Sequence, residues 1–536
     1  MTTYLRRHVT WGVLAGLLII CGGFSVQAET ASGVVFADHN ANGVLDVDEA
    51  GIPSVSVSDG ATVIQTDADG RFQLSLSEEA RFIFVSTPSQ TTAQSRWYQP
   101  VVEGKSDDYS FALATRNEEG PLVFVQLSDI HYAPTPEQFK EGLRDRRMAI
   151  LPDPVLAAIA EDANALNPDF MIIAGDLAAD SKYPEPSRVD EWIGAMADYA
   201  STFGCSSYAA VGNHDVIRDE SIGKTIYESH FGPTYYSFNV KGTHIVVLDT
   251  QELQGTKLVY TVGAQQLAWL EQDLATVDPQ VPILVFCHEP TFDWADTPEN
   301  RALFTLLQRM GITALLNGHW HTNEILREEP FLEMTSGAVC GAWWESPGPD
   351  DTGFGYRVFR LARGNLDSIW CEGGEIGVEV SQPSRAVLTW ADRLQAAVWG
   401  EMETATCAWD DGNAVALNVY WNGLWSSVST NLNVSTLANG YHTMTITFAS
   451  PDGVQVTDSQ TYYISNHDIA LAEIFDHADT YQGKIVAAPR LQVRAVMGSD
   501  ISAFDETKTI IIGGFPTPVL RNDLIGLVGM YHPTSA

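Results

Sequence analysis

Cysteine is scarce: six residues in 536, at positions 21, 205, 287, 340, 371 and 407. None sits at the close spacing of a zinc–thiolate site, and removal of an N-terminal leader containing Cys21 leaves an odd number, so a disulfide framework is not supported. Basic residues are also few. Thirty Lys and Arg stand against 68 Asp and Glu, a formal charge of −38. Such a surface repels nucleic-acid backbones and anionic lipid, which excludes a nucleic-acid polymer as partner. Long apolar runs are missing beyond the N-terminus, so no transmembrane segment is expected in a mature chain. Internal repeats and low-complexity tracts are absent too.

What is there is a chain long enough for roughly three or four domains. Arg6, Arg7 and His8 precede an apolar run over 11–23, and Val26-Gln27-Ala28 supplies small residues for cleavage. Residues 1–28 therefore read as a signal peptide, and the protein as secreted or periplasmic. Residues 29–115 show short strands broken by Gly, Pro, Asp and Asn, an N-terminal β-sandwich. Within it, Asp38, Asn40, Asn42, Val44, Asp46 and Glu49 occupy positions 1, 3, 5, 7, 9 and 12 of a loop with Gly43 at 6, the spacing of an EF-hand calcium loop. That spacing predicts structural calcium; an acidic Asn-Gly turn uses the same residues without an ion.

Over 118–375 the pattern changes to buried strands alternating with amphipathic helices. Strands are expected at 122–127, 170–174, 207–211, 243–248, 282–286 and 313–316, and helices at 154–166, 189–199, 264–274 and 300–310. Strand patterning returns over 382–465, which reads as an immunoglobulin-like sandwich. Residues 466–536 read as a small β-rich domain, a candidate barrel. The fold class is thus multidomain: a central α/β unit flanked by all-β domains. The outer domains are candidates for binding surface polymers.

Five short clusters fall just past strand ends in the α/β region: Asp129-Ile130-His131, Gly175-Asp176, Gly212-Asn213-His214-Asp215, His288-Glu289 and Gly318-His319-Trp320-His321. Ligands of open α/β sheets gather outside the carboxyl ends of strands, so all five can converge. Singly each is an ordinary turn or a satisfied polar residue. Their order resembles the calcineurin-like metallophosphoesterase superfamily, with no ligand position missing. The stretches 231–238, Leu248-Asp249 and 340–344 resemble its bacterial secreted subgroup, whose central fold is a two-sheet sandwich flanked by helices. The resemblance covers roughly residues 30–465.

The resemblance implies two divalent transition metal ions. One is held by Asp129, His131, Asp176 and His321, the other by Asp176, Asn213, His288 and His319. Oxygen and imidazole donors without thiolate suit manganese, iron or zinc better than copper or calcium. It also implies attack of a metal-bridging hydroxide on a small phosphomonoester or phosphodiester. His214 then hydrogen-bonds the phosphate or gives a proton to the leaving group, with Asp215 orienting it or capping a helix. Trp343 and Trp344 could wall the site, Tyr132 could face it, and Arg144, Arg146 and Arg147 could counter substrate charge; the alternatives are simple packing for the aromatic rings and, favoured for the arginines, a solvated helix face. His230 and His244 read as structural, and Cys287 is given no catalytic part. The alternative to an enzyme is a catalytically silent cell-surface binding or scaffold protein on the same core.

Overall fold

The computed structural model describes residues 29–464, apart from 94–95, 117, 145, 183, 349–351, 373–376, 383–386, 389–390 and 439, together with the backbone of four strands between 485 and 530. The expected signal peptide lies outside the described residues. Among the described residues, no helix is long and apolar enough to cross a membrane.

Two sheets stacked face to face form the middle of the molecule. The first runs, in spatial order, through Ser206–Ala210, Phe170–Ala174, Leu122–Leu127, Gly355–Ala362 and Asn365–Glu372. Its first three strands are parallel, and the last two form an antiparallel hairpin. The second runs through Tyr236–Val240, Thr243–Val247, Ile283–Phe286, Ala314–Asn317, Leu332–Thr335 and Glu324–Arg327, with four parallel strands in its middle.

Strand alternation assigns the cores. Val125, Leu127, Met171 and Ile173 face the helices Pro152–Ala165 and Pro186–Ala200, whereas Phe124, Phe170 and Ile172 face the second sheet. Between the sheets, Phe124 is sandwiched by the rings of Phe170 and Phe359, each centroid 4.8 Å away and nearly parallel. Helices Ala264–Leu274 and Pro298–Met310 cover the far face of the second sheet. The latter starts where Thr297 Oγ1 accepts from Asn300 N at 3.1 Å, with Pro298 in the first turn, and stops at Gly311 in left-handed backbone. The central unit is therefore the two-sheet sandwich flanked by helices.

Sequence patterning located six of these strands and four helices to within about three residues. It missed the hairpin Gly355–Ala362 with Asn365–Glu372, the hairpin Gln251–Gln254 with Lys257–Tyr260, the strands Tyr236–Val240, Glu324–Arg327 and Leu332–Thr335, and the short helices Pro136–Gly142 and Thr225–Phe231. Apart from the eight-residue strands of the first of these hairpins, those elements have one or two turns or four to five strand residues, too few for a period to register.

Before the central unit, two four-stranded sheets enclose an apolar core of Val35, Val57, Leu74, Ile83 and Phe111. They rest on the second central sheet through Trp97 against Tyr236, and Ser237 Oγ donating to Ser86 Oγ. After it, sheets of four and five strands over 378–464 pack around Leu394, Val428, Ile446 and Phe448 as a sandwich. Beyond that, Ile485–Met497 pairs with Asp500–Phe504 and Leu524–Met530, and Thr509–Ile512 adds the edge, giving one four-stranded sheet.

Truncating Phe124, which is fully buried, leaves a ring-sized void between the sheets. Phe124→Ala is expected to destabilise by about 3–5 kcal/mol. Denaturant unfolding measures it, and a loss under ~1 kcal/mol would contradict the stacked core.

Candidate metal centre

Each of the five clusters follows a strand whose carboxyl end points to the same edge of the sandwich. Asp129, Asp176 and Asn213 come from the first sheet, and His288, His319 and His321 from the second. Their donor atoms meet there. His131 Nε2 lies 3.1 Å from His321 Nε2 and 3.6 Å from Asp176 Oδ2. His288 Nε2 lies 3.1 Å from Asp176 Oδ2, and His319 Nδ1 lies 3.3 Å from His288 Nε2. Asp129 Oδ1 is 3.4 Å from His321 Nε2 and 3.9 Å from both His131 and His288.

Lone pairs crowded at these separations repel unless something positive lies among them. A cation bound at about 2.0–2.2 Å sets its donors roughly 3–3.4 Å apart, which matches the closest contacts. Two further observations fit a cation. Asp129 Oδ1 and Asn213 Oδ1 are buried with no hydrogen-bond partner among the described residues. The rear nitrogens of two rings are committed elsewhere: His288 Nδ1 pairs with Ala174 O at 2.7 Å, and His321 Nδ1 with Gly341 O at 2.8 Å. Both Nε2 lone pairs then face inward, as ligating imidazoles require.

Backbone geometry holds this arrangement. Asp129, His131, Asp176, His319 and His321 all have φ between 47° and 73°, left-handed backbone that non-glycine residues seldom adopt. Each costs roughly 1–3 kcal/mol and persists because the packed loops over-determine it. The motif glycines permit the approach. A Cβ on Gly212 would lie 2.1 Å from Asp176 N and 2.3 Å from its Oδ1; on Gly318 it would lie 1.7 Å from Ser128 Oγ.

Burial and the neighbouring imidazoles hold His131 below its usual range, and burial with the His288 charge takes His319 down to about 3. Both are neutral and able to ligate. Burial also disfavours charge on His288 and His321, yet the surrounding anionic groups raise both. The negative charge that raises them is charge a bound cation would neutralise.

His214 and Asp215 separate in role. His214 Nδ1 pairs with Ala179 O at 2.9 Å, and Asp180 Oδ1 is 3.9 Å away. The expected contact from Asp215 is not made. Its Oδ1 accepts from Leu177 N and Ala178 N, and its Oδ2 from Gly212 N, at 2.8–3.0 Å. Nor does Asp215 cap a helix. It ties the Asp176 loop to the Asn213 loop, because a fully buried carboxylate needs N–H donors and three lie within reach.

Trp343 lies over the centre, its ring 4.1 Å from His131, 4.9 Å from His321 and 5.4 Å from His214. Arg146 covers that ring at 4.8 Å. Trp344 is structural, buried with Nε1–H donating to Ile130 O at 2.8 Å. Tyr132 turns away from the centre to the helix-side core, where it pairs with Asp153. His230 pairs with Asp190 and His244 with Asp273 and Asn239, both outside the centre. Cys287 Sγ points to Glu289 O. Sequence reasoning missed Ser128, which donates to Asp129 Oδ2 at 2.6 Å, as well as Asp180 and Tyr260. Only Ser128, polar at a strand end beside a ligand, carries a local signal.

A two-sheet α/β sandwich with an Asp/Asn/His centre at its strand ends defines a metal-dependent hydrolase. The Calcineurin-like phosphoesterase family matches residues 122–323, and the N terminal of Calcineurin-like phosphoesterase matches 39–116. The chain belongs to the calcineurin-like phosphoesterase family. It is 25% identical over 211 residues to a probable cyclic nucleotide phosphodiesterase of Synechococcus, covering 37% of this chain and 73% of the relative. It is 32% identical over 222 residues to a cAMP/cGMP dual specificity phosphodiesterase of Mycobacterium tuberculosis, covering 39% and 64%. A dimetal phosphatase structure from Danio rerio superposes with a TM-score of 0.36 at 15% identity, covering 48% of this chain and 98% of that one.

Because Gly212 abuts Asp176, Gly212→Ala should lower metal retention by roughly tenfold or more, as loss of a ligand-supporting contact does. Metal analysis after dialysis measures this. Full retention would show that the two loops are free to separate.

Proposed function

We propose that this protein is an exported dimetal phosphoesterase hydrolysing small phosphomonoesters or phosphodiesters. The convergence of Asp129, His131, Asp176, His288, His319 and His321 on one buried point, beside the orphan oxygens of Asp129 and Asn213, carries the reading. Asp129, His131, Asp176 and His321 would hold one cation, and Asp176, Asn213, His288 and His319 the other. Bound there, two such ions of manganese, iron or zinc supply Lewis acidity and a nucleophilic water at neutral pH.

The chain's own groups do the rest. His214 is fixed through Nδ1 to Ala179 O, leaving Nε2 to hydrogen-bond the phosphoryl group or give a proton to the departing alkoxide. Asp215 acts at one remove, by locking the loops that carry Asp176 and Asn213. Trp343 excludes water from the His131 side. The similarity to proteins named for cyclic nucleotides makes phosphodiesters a first substrate class to try. Export rests on the leader-like first 28 residues.

The loop at 38–49 is proposed to hold structural calcium. Asp38, Asn40, Asn42, Asp46 and Glu49 are drawn together there, with Asn40 and Asn42 both reaching Asp46 Oδ2 and Glu49 Oε1 accepting from His39 N. The outer domains are left as candidates for surface-polymer binding.

Metal-stripped protein given manganese, zinc or iron should hydrolyse bis-p-nitrophenyl phosphate or p-nitrophenyl phosphate, and Asp176→Asn should reduce turnover to background. No turnover with two ions bound would favour the scaffold alternative. His214→Ala should keep its metal and slow poor leaving groups most, by about 10²–10⁴-fold. An equal loss for all leaving groups would rule out proton donation. Calcium should raise the Tm of the wild type but not of Asp38→Ala/Glu49→Ala; the same rise in both would refute the calcium loop.

A further inference from the structure

A guanidinium stands beside the centre that neither the metal-holding residues nor His214 accounts for. Arg218, half-buried, donates through Nη2 to the Asn213 carbonyl at 3.2 Å, behind the orphan Asn213 Oδ1. Its Nε is buried with no hydrogen-bond partner among the described residues. Its charge reaches Asp180, next to His214, and the Tyr260 hydroxyl, whose ring stands edge-on to His319 at 5.5 Å. These neighbours place Arg218 on the Asn213–His319 side of the centre.

A buried N–H left without an acceptor costs roughly 1–3 kcal/mol, which an incoming anion can recover. The guanidinium fork matches phosphate oxygens, and it stays charged at any working pH. A cation here is not the by-product of a basic surface, since acidic residues outnumber basic ones 68 to 30. A phosphomonoester near pH 7 carries about −1.5 to −2 charge and three terminal oxygens. A diester carries one charge and has one terminal oxygen fewer. The additional charge and oxygen are what an extra guanidinium can pair with.

We infer that Arg218 binds a terminal phosphoryl oxygen on the Asn213–His319 side and biases the site toward dianionic monoesters over monoanionic diesters. The assignment rests on the phosphoesterase reading and names the specificity residue within it.

The test titrates metal-loaded wild type, Arg218→Gln and Arg218→Lys with inorganic phosphate and with dimethyl phosphate by calorimetry. kcat and KM for the two nitrophenyl esters are measured alongside. Arg218→Gln should weaken phosphate binding by roughly tenfold, the loss of one charge-assisted hydrogen bond, with a much smaller effect on dimethyl phosphate. KM for the monoester should rise in parallel while kcat changes little, and Arg218→Lys should recover part of both. Should Arg218→Gln lose its metal, Arg218→Lys carries the comparison, weakening phosphate more than dimethyl phosphate. Equal losses for both anions, or none, would overturn the assignment. Wild type that binds phosphate through Arg218 yet hydrolyses neither ester would instead overturn the phosphoesterase reading and leave the anion site standing.

Discussion

Asp176 offers one carboxylate oxygen to the imidazoles of His131 and His288, and the other to the backbone N–H of His214. That single side chain joins donors from both sheets, so its position fixes every other distance in the centre. Gly212 leaves room for it, and Asp215 pins the loops on either side. The left-handed backbone at Asp176 and four other residues of the centre has the same origin: a carboxylate or imidazole leaving a strand end must turn sharply to point inward. The sandwich works as a clamp for these turns, with Phe124 stacked on Phe170 and Phe359 of its own sheet and edge-on to Phe286 of the other.

Charge is arranged at two scales. The whole chain is strongly acidic, which suits solubility and discourages polyanions. Locally, four imidazoles face two carboxylates and a buried amide oxygen, a donor set neutral enough to admit an anion once cations are present. Arg146, over Trp343, and Arg218, on the Asn213 carbonyl, add guanidinium groups beside the centre. With cations bound, the field a substrate meets at the site would be opposite in sign to the field of the surface around it.

Much of this was legible in the residues. Strand-end clusters at 129–131, 175–176, 212–215, 288 and 318–321 marked the centre, because chemistry of this kind needs particular residue types at the ends of buried strands, and buried strands show in apolar runs. The long helices were legible through their period. What was not legible depends on contacts between segments distant in sequence. Asp215 binds the loop nearly forty residues before it rather than its neighbour His214, and sequence adjacency alone favoured the wrong partner. Asp180, Tyr260 and Arg218 sit in turns or a short hairpin without a motif, so only the folded chain places them beside ligands. Tyr132 follows a ligand directly, yet the turn at His131 sends it to the opposite face.

The central claim is that one carboxylate serves two cations. Anomalous diffraction from crystals loaded with manganese tests it most directly. The account predicts two peaks about 3.5–4 Å apart, each within bonding distance of an Asp176 oxygen, with Asn213 and His319 on one side and Asp129 and His321 on the other. A single peak, or two peaks that do not share Asp176, would contradict it.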